Sequence, residues 1–138
     1  MSISKAKIYG YQLIGTRAHG MLDYIVGAFL AASPWLLGFY SKGPETWIPF
    51  ALGISTILYS LLTDYELGII KKISMSLHLT LDLMGAVFLG ISPWACNFAD
   101  QVWIPHVAVA AVEIVVVLMS QQKFEHDESV DELREGRP

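Results

Sequence analysis

The chain has 138 residues, of which 54% are hydrophobic and 16% charged, and its mean hydropathy is +0.47, a balance unlike that of an ordinary globular domain. A net charge of −4 without any basic patch argues against a nucleic-acid surface. The single cysteine, Cys96, rules out an intramolecular disulfide and two-thiol redox chemistry.

At the N-terminus, Lys5 and Lys7 precede a broken stretch from Ile8 to Gly15 that lacks the apolar core and small-residue cleavage site of a signal peptide. Tyr9, Tyr11, Leu13 and Ile14 predict an interfacial segment over residues 1–16. Four long apolar runs follow. The 18 residues between Asp23 and Lys42, the 18 between Glu45 and Asp64, and the 17 between Asp82 and Asp100 carry no charge, and Gln101–Gln122 is interrupted only by Glu113. Crossing about 30 Å of hydrocarbon takes about 20 helical residues, so each run predicts a transmembrane helix. The last segment, residues 123–138, reads as an acidic tail; from Phe124 on it holds six acids and two arginines, which leaves the preceding residues neutral.

Ser33, Pro34 and Trp35 interrupt the first run, and Ser92, Pro93 and Trp94 the third. Proline removes a helical donor and either kinks the helix or opens a new one. A helix from His19 to Ala32 would reach only about 21 Å, whereas continuation to Phe39 reaches about 31 Å. The expectation is therefore a kinked span, with each serine hydroxyl bonding a carbonyl one turn back and each tryptophan anchoring the outer end. Pro49 and Pro105, each two residues after a tryptophan, are expected in the first turn of the return helices.

Basic residues flank one side of these spans. Lys5, Lys7, Arg17, Lys71, Lys72 and Lys123 lie before the first, between the second and third, and after the fourth, whereas the first loop has only Lys42 and the third has none. The positive-inside rule then places both termini and the middle loop in the cytoplasm, with Trp35, Trp47, Trp94 and Trp103 near the outer face.

The chain also repeats itself. His19, Asp23, Ser33, Pro34 and Trp35 recur 59 residues later as His78, Asp82, Ser92, Pro93 and Trp94, and the segments His19–Phe39 and His78–Phe98 agree at nine of 21 positions. An internal duplication predicts the same supersecondary unit twice. Two spans per unit give both copies the same polarity, so the predicted fold is an all-α bundle of four transmembrane helices. It is built from two tandem helical hairpins, residues 17–66 and 67–122, related by a pseudo-two-fold axis along the membrane normal. Gly27, Ala28, Ala31 and Ala32 in the first helix, and Gly85, Ala86 and Gly90 in the third, favour close helix packing.

Duplicated units carrying His-x3-Asp followed by Ser-Pro-Trp resemble the SPW repeat family of small prokaryotic membrane proteins, over about residues 17–120. The resemblance implies helix pairs with the tripeptide in the first helix of each pair, in the plasma membrane, and brings no activity with it. The second copy departs from the first in replacing Leu37-Gly38 by Cys96-Asn97.

His19, Asp23, His78 and Asp82 are the candidate polar cluster, because residues four apart share a helix face and the pseudo-two-fold can bring the two pairs together. In the plainer reading each aspartate accepts a hydrogen bond from its own histidine near a helix N-terminus. Two imidazoles and two carboxylates could instead hold a metal, a bis-His haem or a proton. Glu113, inside the fourth span, joins the candidates as an intramembrane acid. It is either functional or hydrogen bonded to Ser55, Thr56, Tyr59 or Thr63 on the second span. His106 and His126 are expected in solvent.

No nucleotide loop, activated nucleophile or zinc-protease helix is present. The composition favours a structural, scaffolding or accessory membrane protein without evident catalysis or cofactor, held in the bilayer as a homo-oligomer or within a larger membrane complex. Proton or ion conduction by an oligomer, and metal or haem binding by the paired motifs, are the two alternatives.

Overall fold

The computed structural model describes residues 13–122. The acidic tail with His126, and most of the N-terminal segment, lie outside them. Four helices are formed: α1 (Thr16–Leu36), α2 (Pro44–Leu62), α3 (Met75–Ala95) and α4 (Ile104–Met119), and no strand is present among the described residues. α1 packs mainly on α2 and α3 mainly on α4, forming two hairpins. α2 and α3 are each long and apolar enough to cross a membrane. α1 matches α3 in length, but Arg17, His19 and Asp23 lower the hydropathy of its first two turns, and α4 has only 16 residues.

The prolines explain the boundaries. Helix α1 has the predicted 21 residues but is shifted three residues toward the N-terminus, ending at Leu36 rather than Phe39. Two residues on, Gly38 takes a left-handed φ of 73°, and Asn97 at the equivalent point after α3 takes 58°. Glycine and asparagine are the residues that tolerate this conformation best, so the Gly-to-Asn difference between the two copies preserves the backbone turn. Pro34 and Pro93 lie within the last helical turns and cannot donate to the carbonyls of Leu30 and Leu89. The Ser33 and Ser92 hydroxyls donate to those same carbonyls, each at 2.8 Å. The serine thus replaces the amide that its proline neighbour lacks.

Pro49 requires a correction. Helix α2 starts at Pro44, which takes the first-turn position, so Pro49 falls in the second turn and leaves the Glu45 carbonyl without its helical donor. His106 of α4 supplies one: its Nε2 is 3.2 Å from the Glu45 oxygen. His106 is 1% exposed, against Phe39 and Phe98, rather than solvated as expected. Its imidazole is drawn inward because a buried carbonyl there needs a donor.

The distribution of side chains is inverted relative to a water-soluble bundle. Among the described residues, thirteen polar or charged ones are buried against nine hydrophobic ones, while Ile25, Phe29, Leu58, Met84, Val87, Phe88, Ile91, Val112, Val115 and Leu118 are exposed on the helices. The interior apolar cluster is small, with Leu30, Leu89 and Ala110 at its centre. All four tryptophans are about half exposed, with Trp35 against Tyr40 and Phe50, Trp47 against Phe50, and Trp94 against Trp103. They occupy the end of the bundle where α1 and α3 finish and α2 and α4 begin.

Helices α1 and α2 meet at Gly27 and Gly53, where a Cβ on Gly53 would strike the Gly27 carbonyl and the Ala31 backbone. At Gly85 of α3 an added Cβ meets only Leu52, at 3.8 Å. Thermal unfolding in detergent is therefore expected to show Gly53→Ala destabilised by about 1–3 kcal/mol, the usual cost of overpacking, with Gly85→Ala close to the parent protein.

Candidate functional site

The start of α1 and the start of α3 meet at the end of the bundle opposite the tryptophans. A 3.6-residue repeat sets His19 above Asp23 and His78 above Asp82, each pair on one helix face. All four residues are buried, with both histidines at 0% exposure. One ligand atom from each lies within 4.8 Å of the other three.

The pairing is crossed. His78 Nε2 is 2.8 Å from Asp23 Oδ2, and His19 Nε2 is 2.9 Å from Asp82 Oδ2. The contacts within each helix are longer, 3.2 Å for His19 with Asp23 and 3.1 Å for His78 with Asp82. The expectation that each aspartate serves its own histidine is thus corrected: the i,i+4 contact exists, but the nearer carboxylate belongs to the other hairpin. The two Nε2 atoms are 3.3 Å apart, and the rings meet edge to face.

The outer ring nitrogens are held by hydroxyls at the ends of the return helices. Ser120 Oγ lies 2.7 Å from His19 Nδ1, and Thr63 Oγ1 lies 2.8 Å from His78 Nδ1. Each hydroxyl already donates its one proton to a backbone carbonyl four residues earlier, Val116 at 2.6 Å and Tyr59 at 2.7 Å. The imidazole must therefore be the donor, and Nδ1 carries the proton in both rings. Both Nε2 atoms then face the carboxylates.

The carboxylates have further partners. Ser60 Oγ donates to Asp23 Oδ2 at 3.2 Å, and Tyr59 Oη donates to Asp82 Oδ1. Asp23 Oδ1, buried in the same place, accepts no hydrogen bond. The connection between α2 and α3 closes the site from outside. Its Tyr65 fills the space left by Gly20 and lies against the His78 ring, while Tyr24 Oη donates to the Leu67 carbonyl and Thr16 Oγ1 to Glu66. Burial pushes the Tyr65 phenol above its ordinary pKa, so it covers the cluster as a neutral group.

Glu113 stands apart from the four. It lines a cavity of about 50 Å³ together with Ser55, Thr56, Tyr59 and Asp82, room for a few water molecules. Thr56 and Tyr59 bond to one another, Tyr59 also to Asp82, and Thr63 to Tyr59 and His78. Of the partners expected for Glu113, Thr56, Tyr59 and Thr63 bond elsewhere, while Ser55 lines the cavity beside it. Ser33, Pro34, Trp35 and their counterparts Ser92, Pro93 and Trp94 lie far along the helices, at the tryptophan end, and contribute architecture rather than side chains to this site.

Sequence reasoning missed Ser60, Ser120 and Tyr65 altogether and assigned Tyr59 and Thr63 to Glu113. One signal was available: a hydroxyl residue closes both return helices, Thr63 after α2 and Ser120 after α4.

The family model for the SPW repeat domain matches residues 17–120. The chain belongs to the SPW repeat family. The match covers all four helices and the whole polar cluster, and with the two span-length apolar helices it marks a small membrane protein. No curated protein and no solved structure matches the chain.

Replacing Thr63 by valine keeps the side-chain shape but leaves the buried His78 Nδ1 proton without an acceptor. An unsatisfied buried donor costs about 1–3 kcal/mol, so Thr63→Val is expected to lower the unfolding midpoint in detergent. Thr80→Val, whose hydroxyl is exposed, serves as the control that leaves it in place.

Proposed function

We propose that this SPW repeat protein is a four-span integral membrane protein of structural or accessory type, in which two tandem hairpins, residues 17–66 and 67–122, are clamped by a shared polar centre. The observation that carries the reading is the crossed pairing: each hairpin supplies a carboxylate to the other hairpin's imidazole. In hydrocarbon such groups are costly unless paired within the protein, so neither hairpin satisfies its own polar groups as well alone as with its sibling. The matched Ser-Pro turns, left-handed residues and histidine-hydroxyl contacts in the two halves support a pseudo-two-fold relation along the membrane normal.

Apolar outer faces on all four helices support four spans rather than two. The half-exposed tryptophans at one end and the basic residues Lys71 and Lys72 at the other support a plasma-membrane orientation with both termini cytoplasmic. The slight interior of four short helices favours a homo-oligomer or a place in a larger membrane complex. Ser120 and Thr63 each lie beside an imidazole that faces a carboxylate, but each hydroxyl donates its proton to a backbone carbonyl and accepts from the ring, so neither is held as an activated nucleophile, which fits a role without catalysis.

Two substitutions test the clamp. His19→Ala and Asp23→Asn are expected to lower the unfolding midpoint and weaken assembly in native gels, by an amount consistent with breaking a buried pair, about 3–5 kcal/mol. An unchanged midpoint in both would sink the reading.

A second reading, proton or ion conduction, is favoured by one observation: Asp82 and Glu113 line the same water-sized cavity. In that case vesicles containing the protein should show a gradient-driven proton signal that Glu113→Gln suppresses. A signal no larger than that of protein-free vesicles removes this reading and leaves the clamp standing.

A further inference from the structure

We infer that His19, Asp23, His78 and Asp82 form a binding site for one divalent first-row transition metal ion of the zinc class. The inference rests on the two-hairpin reading above and names the ligand of its polar centre.

The first argument is proton accounting. With Nδ1 protonated by the Ser120 and Thr63 contacts, each imidazole turns its Nε2 inward as the one ring position left to hold either a proton or a cation. Facing those nitrogens are carboxylate oxygens at 2.8–3.2 Å and, at 3.3 Å, the other Nε2. Left bare, they would turn acceptors on acceptors in a buried space. Something positive has to stand between them, either protons or a cation.

The donor set and its support fit a metal. Neutral imidazole nitrogen with carboxylate oxygen is a common zinc ligand combination, and a ligating histidine almost always donates its other N–H to an outer partner that fixes its tautomer. Ser120 and Thr63 provide that partner here, and Ser60 and Tyr59 orient the two carboxylates in the same way. Asp23 Oδ1 is fully buried and accepts no hydrogen bond, with His19 Nε2 facing it at 3.2 Å.

Dimensions and charge agree as well. Zinc bonds of about 2.0–2.2 Å place neighbouring ligand atoms of a tetrahedron about 3.3–3.6 Å apart. The nitrogen–nitrogen separation already equals 3.3 Å, the nitrogen–oxygen separations of 2.8–3.2 Å have to open by less than about 1 Å, and the ligand atoms, all within 4.8 Å of one another, have to draw in where they are widest. A dication with two carboxylates and two neutral imidazoles has no net charge, the condition under which a polar centre in hydrocarbon costs least. His106 is too distant along α4 to join, since it bonds to Glu45 at the tryptophan end.

The test uses the full chain in detergent, stripped with a chelator and then titrated with Zn²⁺ or Co²⁺. Expected are uptake of a single ion per chain, a raised unfolding midpoint, and a Co²⁺ absorption spectrum of the intense, low-symmetry type rather than that of the aqueous ion. Asp82→Asn should abolish uptake. Thr63→Val, which leaves all four ligands in place, should weaken it about 10- to 100-fold, as loss of an outer partner does elsewhere, while His106→Ala should leave it unchanged. Stripped wild-type protein that takes up no ion and keeps both its midpoint and an aqueous Co²⁺ spectrum overturns the inference. The clamp would survive that result, because protons alone can bridge the four groups; it fails separately, if His19→Ala proves as stable as the parent.

Discussion

Each hairpin's imidazole is joined to the carboxylate of the other hairpin, His19 to Asp82 and His78 to Asp23. Most of the polar interior is arranged around this exchange. Helices α1 and α3 must approach at their first turns for it to form, and α2 and α4 must end beside them so that Thr63 and Ser120 reach the outer ring nitrogens. The α2–α3 connection then covers the centre with Tyr65. Because the apolar cluster is small, specificity of assembly rests on these few directional contacts and on glycine-mediated approach rather than on a large hydrophobic core.

At the opposite end the organising constraint is the carbonyl that a proline leaves free. Pro34, Pro49 and Pro93 create three such carbonyls, and two kinds of donor satisfy them. Leu30 and Leu89 receive the hydroxyls of the serines preceding Pro34 and Pro93. Glu45, orphaned by Pro49, receives His106 from another helix. The first two repairs are local and leave the helix self-contained. The third spans the hairpins, so a break in α2 becomes a link to α4, and the two units are tied at both ends of the bundle.

Much of this was legible in the residues themselves. Apolar run lengths located four helices, the 59-residue displacement located corresponding positions, and helical spacing put His19 and Asp23, like His78 and Asp82, on common faces. Three features were not legible. Crossed rather than intrahelical pairing depends on the distance between α1 and α3, which no local pattern encodes. The burial of His106 depends on a donor deficit created 57 residues earlier at Pro49, visible only once α2 is known to begin at Pro44. The exchange of Gly38 for Asn97 looks like divergence in composition, yet both residues supply the same left-handed turn, a likeness of backbone and not of side chain.

On the four-span reading, the crossed arrangement has a consequence for biogenesis. A nascent chain delivers its first hairpin to the bilayer before the second has left the ribosome, and during that interval His19 and Asp23 have only each other and Ser60. The partners that complete their coordination, Asp82, His78 and Ser120, arrive last. The half-made protein therefore passes through a stage in which polar groups destined for the interior must be sheltered by the insertion machinery or by interfacial water, and translation pausing between residues 67 and 74 would lengthen that exposure.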